Sequence, residues 1–225
     1  EIYQCDWSSD VCSSDLTRVI KYPYKVCDIM NTENPLPIIR IATVLFMVLW
    51  GAYERISAIV KGRRHAQAPD SDRKSLGLLY ASILLGYGFG IPLAFTGYGA
   101  VPSSLGFVSW GGLVLIASGL VIRLIAIRTL AEQFTYTVKI VDNHRLITSG
   151  IYRHIRHPSY LGQALIFLGC GMALANWISL LLLFVPVIPA TLFRIAVEER
   201  VLKEHFPDQY ADYAGRTGLL IPRVH

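Results

Sequence analysis

The chain has 225 residues, of which 53% are hydrophobic and 16% are charged, and its formal net charge is +5. So apolar a composition is typical of an integral membrane protein and excludes a highly charged, disordered chain. Basic residues of membrane proteins gather in cytoplasmic loops beside anionic lipid, so the positive charge does not indicate a nucleic-acid partner.

The first sixteen residues differ from the remainder of the chain. The stretch Cys5–Leu16 is similar to the translation of a widely used sequencing adapter, so we expect residues 1–16 to be a non-native tail. The alternative is a genuine polar tail. Without this stretch the acidic count falls from 16 to 12 against 21 Lys and Arg, which makes the net charge +9. We then expect the native chain to begin upstream of Thr17 and residues 17–225 to form one membrane domain.

Five apolar runs follow, each long enough or nearly long enough to cross a bilayer core, which takes about 20 helical residues. The last two runs are short and are separated only by Ala175 and Asn176, so we expect a tight helical hairpin there. The sequence therefore predicts an all-α integral membrane bundle of about five transmembrane helices. The runs are Ile38–Tyr53, Leu76–Phe95, Phe107–Ile127, Tyr160–Leu174 and Trp177–Phe193.

Glycines within the second and third runs predict close packing between helices. Small residues let helix backbones approach each other closely inside a membrane. Lipid tails there are as apolar as the side chains, so burial of apolar surface does not itself bring helices together. The glycines concerned are Gly86, Gly90, Gly111, Gly112 and Gly119.

Basic residues are concentrated in particular loops. The loop after the first run contains Lys61–His65, and the segment 128–159 carries further Lys and Arg, whereas Gly97–Leu105 has no charged residue. The positive-inside rule places the first loop, the 128–159 segment and the C-terminus in the cytoplasm. Three basic residues near the start of the first run argue mildly for the opposite orientation.

Polar side chains cluster at the edges of the last apolar runs, where ionisable groups are costly to bury and usually mark a site. The segment Gly150–Gly162 reads GIYRHIRHPSYLG, and the pair Glu198-Glu199 follows one apolar hairpin later. Together with Tyr210 and Tyr213 near the C-terminus, this set resembles the isoprenylcysteine carboxyl methyltransferases and their phospholipid methyltransferase-like relatives. The resemblance implies an integral membrane methyltransferase that uses S-adenosylmethionine, with residues 130–225 as the cofactor-binding part.

The resemblance also implies roles for individual residues. Arg194 matches a substrate-side arginine near the acceptor carboxylate, and Glu198 matches a carboxylate that contacts the cofactor by a charge-assisted hydrogen bond. Because they are four residues apart on one predicted helix, they share a face at the cytoplasmic mouth. The other positions assigned to the cofactor pocket are His144, Arg145, Leu146, Ile147, Tyr152, His157, Pro158, Ser159 and Tyr160.

The acceptor implied by the resemblance is hydrophobic or lipid-borne and meets the enzyme from the membrane. An ionised carboxylate needs no general base, and no residue in the motifs stands out as one, which favours a carboxylate over an amine or thiol. The expected location is a bacterial inner membrane, with the cofactor site facing the cytoplasm. One departure concerns the cofactor edge, where Thr137 stands in place of an amide side chain that the family often has.

Other interpretations remain open. The basic residues at 153–157 also fit a plain juxtamembrane cluster, and Arg194 with Glu198 fits an ordinary helix salt bridge. His154 and His157 are spaced for a metal, but further ligands are missing and the two cysteines beyond the first sixteen residues have no CxxC spacing, so we expect no metal site. The alternative functions are an NADPH-dependent membrane reductase of the sterol-reductase type and a non-enzymatic membrane protein.

Overall fold

The computed structural model of the protein describes residues 36–63, 70–134 and 145–223. The expectations for residues 1–16, for Thr137 and for His144 lie outside these ranges. The division of the chain into a tail and one domain therefore stays a prediction.

The regular structure in the described ranges is helical, apart from two isolated β-bridges. This confirms the predicted all-α class. The helices are α1 Leu36–Arg63, α2 Asp70–Leu85, α3 Ile91–Ala94, α4 Phe107–Leu130, α5 Pro158–Ala173, α6 Trp177–Phe184, α7 Val187–His205 and α8 Pro207–Arg216. A π-helical turn joins α2 directly to α3, and short 3₁₀ turns lie beside α4 and before α5.

Four helical segments in the described part of the chain are long and apolar enough to cross a membrane. They are Leu36–Val60, Asp72–Ala94, Phe107–Leu130 and Trp177–His205. The remaining predicted run, Tyr160–Leu174, lies in α5, whose 16 residues are fewer than the roughly 20 that a perpendicular crossing takes. The integral membrane class is confirmed, and the count of about five crossings stays a prediction.

The predicted tight turn between the last two runs is present. Helix α5 ends at Ala173 and α6 begins at Trp177. Asn176 is the N-cap of α6, because its side-chain oxygen accepts a hydrogen bond from the Ser179 amide at 2.9 Å. Its amide nitrogen donates to the Leu93 carbonyl at 3.1 Å, so this buried residue also fastens the turn to α3.

Helices α4 and α5 pack backbone against backbone along a seam of glycines. A Cβ at Gly112 would lie 2.5 Å from the Ala173 nitrogen, and one at Gly119 would lie 2.5 Å from the Gly162 carbonyl oxygen. Any side chain there would force the two backbones apart, as expected for small residues at a membrane helix interface. The seam fixes the start of α5, which carries several predicted site residues, against the last third of α4.

The loops separate into two groups at opposite ends of the bundle. The uncharged loop meets the α5–α6 turn, where the Trp177 amide donates to the Gly99 carbonyl at 2.9 Å. At the other end, the start of α2, the 145–157 segment and the C-terminal tail come together around α7. The structure thus groups these charged segments at one end, as the sequence predicted. Their cytoplasmic placement stays a prediction.

Candidate active site

A cavity of about 540 Å³ opens at the charged end of the bundle, and its size is within the roughly 300–1,000 Å³ common for small-molecule sites. Nine of the eleven predicted site residues line it. They are Arg145, Leu146, Ile147, Tyr152, His157, Ser159, Tyr160, Arg194 and Glu198. Of the other two, Pro158 is fully buried as the first residue of α5, and His144 lies outside the described residues.

The C-terminal tail holds the backbone that leads into α5. The Arg156 amide donates to the Gly218 carbonyl at 2.9 Å, and the His157 amide donates to the Leu219 carbonyl at 3.1 Å. In return, the Gly218 amide donates to the His154 carbonyl at 3.2 Å. These bonds fix the residue before Pro158, so that the His157 side chain is buried at the cavity wall.

The two neighbouring carboxylates of α7 have different surroundings. Glu199 accepts a hydrogen bond from Arg156 Nε at 2.9 Å and lies 3.4 Å from His157 Nε2. Glu198 lines the cavity with its side chain 32% exposed, and its nearer oxygen is 4.0 Å from His157 Nδ1. Arg156 and His157 are therefore held inside the protein rather than forming a solvated juxtamembrane cluster, whereas Arg153 is exposed.

The geometry gives no support to a metal role for the two histidines. His154 is exposed, and His157 is buried beside the carboxylates of α7. Within residues 36–63, 70–134 and 145–223, no group of three or more His, Cys, Asp or Glu side chains is placed to hold a metal ion.

Arg194 makes an ion pair that the sequence did not predict. Its Nη1 donates to Asp72 Oδ1 at 2.8 Å and to Ser75 Oγ at 3.0 Å, and both partners belong to α2. Arg194 and Asp72 are buried. The cavity-facing position that Arg194 shares with Glu198 agrees with the prediction, but the guanidinium is fixed across helices instead of along its own.

Arg123 also lines the cavity, and the sequence reasoning did not assign it to the site. Arg123 donates from Nε and Nη2 to the two carboxylate oxygens of Glu54, at 2.7 and 2.9 Å. Its Nη1 donates to the hydroxyl of Ser159 at 2.8 Å and to the backbone carbonyl of the same residue at 3.1 Å. The available signal was the charge itself, since an arginine inside an apolar run suggests a functional site.

Three tyrosines outside the membrane-spanning segments close the cavity from the tail side. Burial raises the pKa of Tyr213 to about 12, and its hydroxyl donates to the Tyr152 carbonyl at 2.8 Å. Burial, reinforced by the negative charge of Glu198, raises the pKa of Tyr152. Burial and a neighbouring carboxylate likewise raise the pKa of Tyr210. All three phenols therefore stay protonated at neutral pH.

The opposite wall of the cavity, between α1 and α2, is largely apolar. Deep in this slot the Tyr87 hydroxyl donates to the Met47 carbonyl of α1 at 3.4 Å. Nearer the surface, Val48 and Leu84 line the cavity while 55% and 70% of their surfaces remain exposed. The cavity is therefore bordered by partly exposed apolar side chains on this side and by charged residues at its other end.

Comparisons with known proteins agree with this arrangement. A family model described as phospholipid methyltransferase matches residues 107–209. The chain is 37% identical over 121 residues to protein-S-isoprenylcysteine O-methyltransferase B of Arabidopsis thaliana, which covers 53% of this chain and 61% of that protein. It is 34% identical over 115 residues to the Saccharomyces cerevisiae protein-S-isoprenylcysteine O-methyltransferase, covering 50% and 48%. The chain thus spans less than two thirds of either relative.

The fold has a counterpart among solved structures. The eukaryotic intramembrane Ras methyltransferase, an isoprenylcysteine carboxyl methyltransferase, superposes with a TM-score of 0.58 over 86% of this chain and 70% of that one, at 23% identity. This similarity concerns the fold, and the family model covers residues 107–209, which include most of the residues that line the cavity. The chain is thus similar in sequence to isoprenylcysteine O-methyltransferases and similar in fold to the integral membrane structure of one isoprenylcysteine carboxyl methyltransferase.

Proposed function

We propose that the protein is a membrane methyltransferase that uses S-adenosylmethionine and methylates a carboxylate on a hydrophobic, lipid-borne acceptor. The observation that carries this proposal is the cavity itself, which joins a charged, tyrosine-lined end to an apolar slot between α1 and α2. The names of the sequence relatives support O-methylation as the reaction class.

The residues of the charged end fit the cofactor. Glu198 presents a partly exposed carboxylate to the cavity, which suits an ammonium group or a positive sulfur. Tyr152 and Tyr160 add aromatic surface and protonated hydroxyls for the adenosine part. When bound, S-adenosylmethionine supplies an electrophilic methyl group whose transfer leaves a neutral thioether.

The remaining side chains orient the acceptor and need not remove a proton from it. The slot bordered by Val48 and Leu84 suits an isoprenoid or acyl chain. Arg194, held by Asp72, adds positive charge to the wall that a carboxylate would approach. A carboxylate is already ionised at neutral pH, so proximity and alignment supply the acceleration rather than a general base.

Calorimetric titration of the detergent-purified 225-residue chain tests the cofactor. S-Adenosylmethionine and, separately, NADPH are titrated into the wild type and into Glu198→Ala and His157→Ala, with Glu204→Ala as the exposed control on the same helix. We expect saturable binding of S-adenosylmethionine that both cavity substitutions weaken and the control does not. Binding of NADPH alone would support the reductase, and binding of neither ligand would support a non-enzymatic role.

A second assay tests the reaction. The wild type is incubated with radiolabelled methyl donor and N-acetyl-S-farnesylcysteine, whose carboxylate sits beside an isoprenoid chain. Base-labile methyl ester is the expected product. Binding of the methyl donor without transfer to this acid or to long-chain fatty acids would contradict the proposed acceptor class while leaving the cofactor assignment intact.

A further inference from the structure

The pair of Glu54 and Arg123 is unusual for its position. Both residues belong to helices that are apolar enough to span a membrane, and only 16% and 7% of their side-chain surfaces are exposed. Both guanidinium–carboxylate bonds are short, at 2.7 and 2.9 Å. Removing two charges from water is costly and the attraction between them often does no more than offset that cost. Stability alone is therefore a weak reason for the pair.

Arg123 has a third contact that leads to the charged end of the cavity. Its Nη1 reaches both the hydroxyl and the carbonyl of Ser159, and Gln163 Oε1 lies 3.4 Å away. Ser159 belongs to the first turn of α5, two residues after His157. A single side chain thus joins α1 and α4 to the turn from which several cavity residues project.

The contacts of Arg123 matter because α1 is packed against the bundle in a different way from α4 and α5. Helices α4 and α5 are fixed by the glycine seam, in which their backbones touch. Helix α1 faces α2 across the apolar slot and is held near its other end by Arg40, whose Nε donates to the carbonyl of Leu174 in the α5–α6 turn at 2.8 Å. At the cavity, Glu54 connects α1 to α4 and α5 through its ion pair with Arg123.

We propose that Glu54 is a positioning residue: through Arg123 it holds Ser159 and the first turn of α5 in the geometry that binds the cofactor. The wall that borders the acceptor slot thereby supports the cofactor end of the cavity. Insofar as it names the ligand, this inference rests on the proposed function. The contact itself does not.

A matched variant separates positioning from general stability. Glu54→Gln keeps the size of the side chain and removes its charge. Arg40→Gln instead removes the hydrogen bond to Leu174 that holds the other end of α1. Both loosen α1, but only the first removes the partner of Arg123. Glu54→Asp preserves the charge and serves as the conservative rescue.

The experiment measures the dissociation constant of S-adenosylmethionine for wild type, Glu54→Gln, Glu54→Asp, Arg40→Gln, Ser159→Ala and the Glu54→Gln/Ser159→Ala double variant. We expect Glu54→Gln to raise the dissociation constant about tenfold, because Glu54 and Ser159 belong to one hydrogen-bond network. Arg40→Gln lies outside this network and should change the dissociation constant by no more than about twofold. Glu54→Asp should recover part of the loss. The double variant should bind little more weakly than the worse single variant, because both changes break one connection.

Amide hydrogen exchange of the ligand-free proteins provides a readout that needs no cofactor. We expect faster exchange in the first turns of α5, around Leu161–Gln163, for Glu54→Gln but not for Arg40→Gln. Unchanged exchange there, equal effects of the two variants, or additive losses in the double variant would overturn the positioning role. If the wild type binds no S-adenosylmethionine, the proposed function fails, and the exchange comparison still decides whether Glu54 holds α5.

Discussion

Asp72, the third residue of α2, places its carboxylate oxygen 2.8 Å from Nη1 of Arg194 in α7. The two residues are 122 positions apart in the chain, and both are buried beside the cavity. A guanidinium held in this way has a fixed position, because the ion pair with α2 restricts the rotation of its long side chain.

Loss of Asp72 is expected to destabilise the protein strongly. Asp72→Ala leaves the buried charge of Arg194 without its carboxylate, which costs about 3–5 kcal/mol in comparable cases. Replacing both residues by apolar ones, as in Asp72→Leu/Arg194→Met, should recover most of that stability. Denaturant unfolding in detergent measures both effects. A double variant as unstable as Asp72→Ala would contradict this account.

The glycine seam predicts a large effect from a single methyl group. A Cβ on Gly162 would lie 2.6 Å from the Gly119 carbonyl oxygen and 2.8 Å from the Arg123 nitrogen. Because these are backbone atoms, Gly162→Ala is expected to separate the two helices and cost about 1–3 kcal/mol. Gly77→Ala is the control, since no atom lies within 4 Å of its added Cβ and it should stabilise α2 by about 0.5–1 kcal/mol. Thermal unfolding of the two variants should therefore shift in opposite directions.

The raised pKa of Tyr213 predicts a loss of stability at alkaline pH. The folded protein holds this proton up to about pH 12, whereas an exposed tyrosine ionises near pH 10. The associated stabilisation is complete below about pH 10 and is lost between about pH 10 and 12. Tyr213→Phe should lose about 1 kcal/mol at neutral pH, with its hydrogen bond, and show a shallower alkaline decline. Tyr98→Phe, at an exposed position, should match the wild type throughout.

Arg55 is expected to affect the acceptor and not the cofactor. It lines the cavity from α1, is exposed, and lies 4.3 Å above the ring of Tyr80. Arg55→Gln should reduce the preference for N-acetyl-S-farnesylcysteine over its neutral carboxamide by up to about tenfold. Binding of S-adenosylmethionine should be unaffected, as should both properties in the control Lys74→Gln. An unchanged preference for the acid would exclude Arg55 from acceptor recognition.

The sequence predicted the helical class, four of the apolar spans and nine residues that line the cavity, because these features depend on short stretches of sequence. Apolar runs, the proline that starts α5 and the spacing of Arg194 and Glu198 along one helix need no knowledge of distant residues. The number of crossings stays a prediction, because α5 has 16 residues and a perpendicular crossing takes about 20.

The ion pairs of the cavity could not be predicted in the same way. Glu54 and Arg123 are 69 positions apart, and no periodicity of either helix indicates that their faces meet. A buried charge in an apolar run signals a partner but does not identify it. The pairing depends on the tertiary structure, because the glycine seam fixes α4 against α5 and places Arg123 beside Ser159.

The direction of the chain gives these pairs a consequence for biogenesis. In each case the carboxylate is synthesised before its arginine, Glu54 by 69 residues and Asp72 by 122. The carboxylates of α1 and α2 can therefore form their ion pairs only after α4 and α7, which carry the two arginines, have been synthesised. The charged wall that α1 and α2 contribute to the cavity is therefore completed late in synthesis, although both helices precede their partners in the chain.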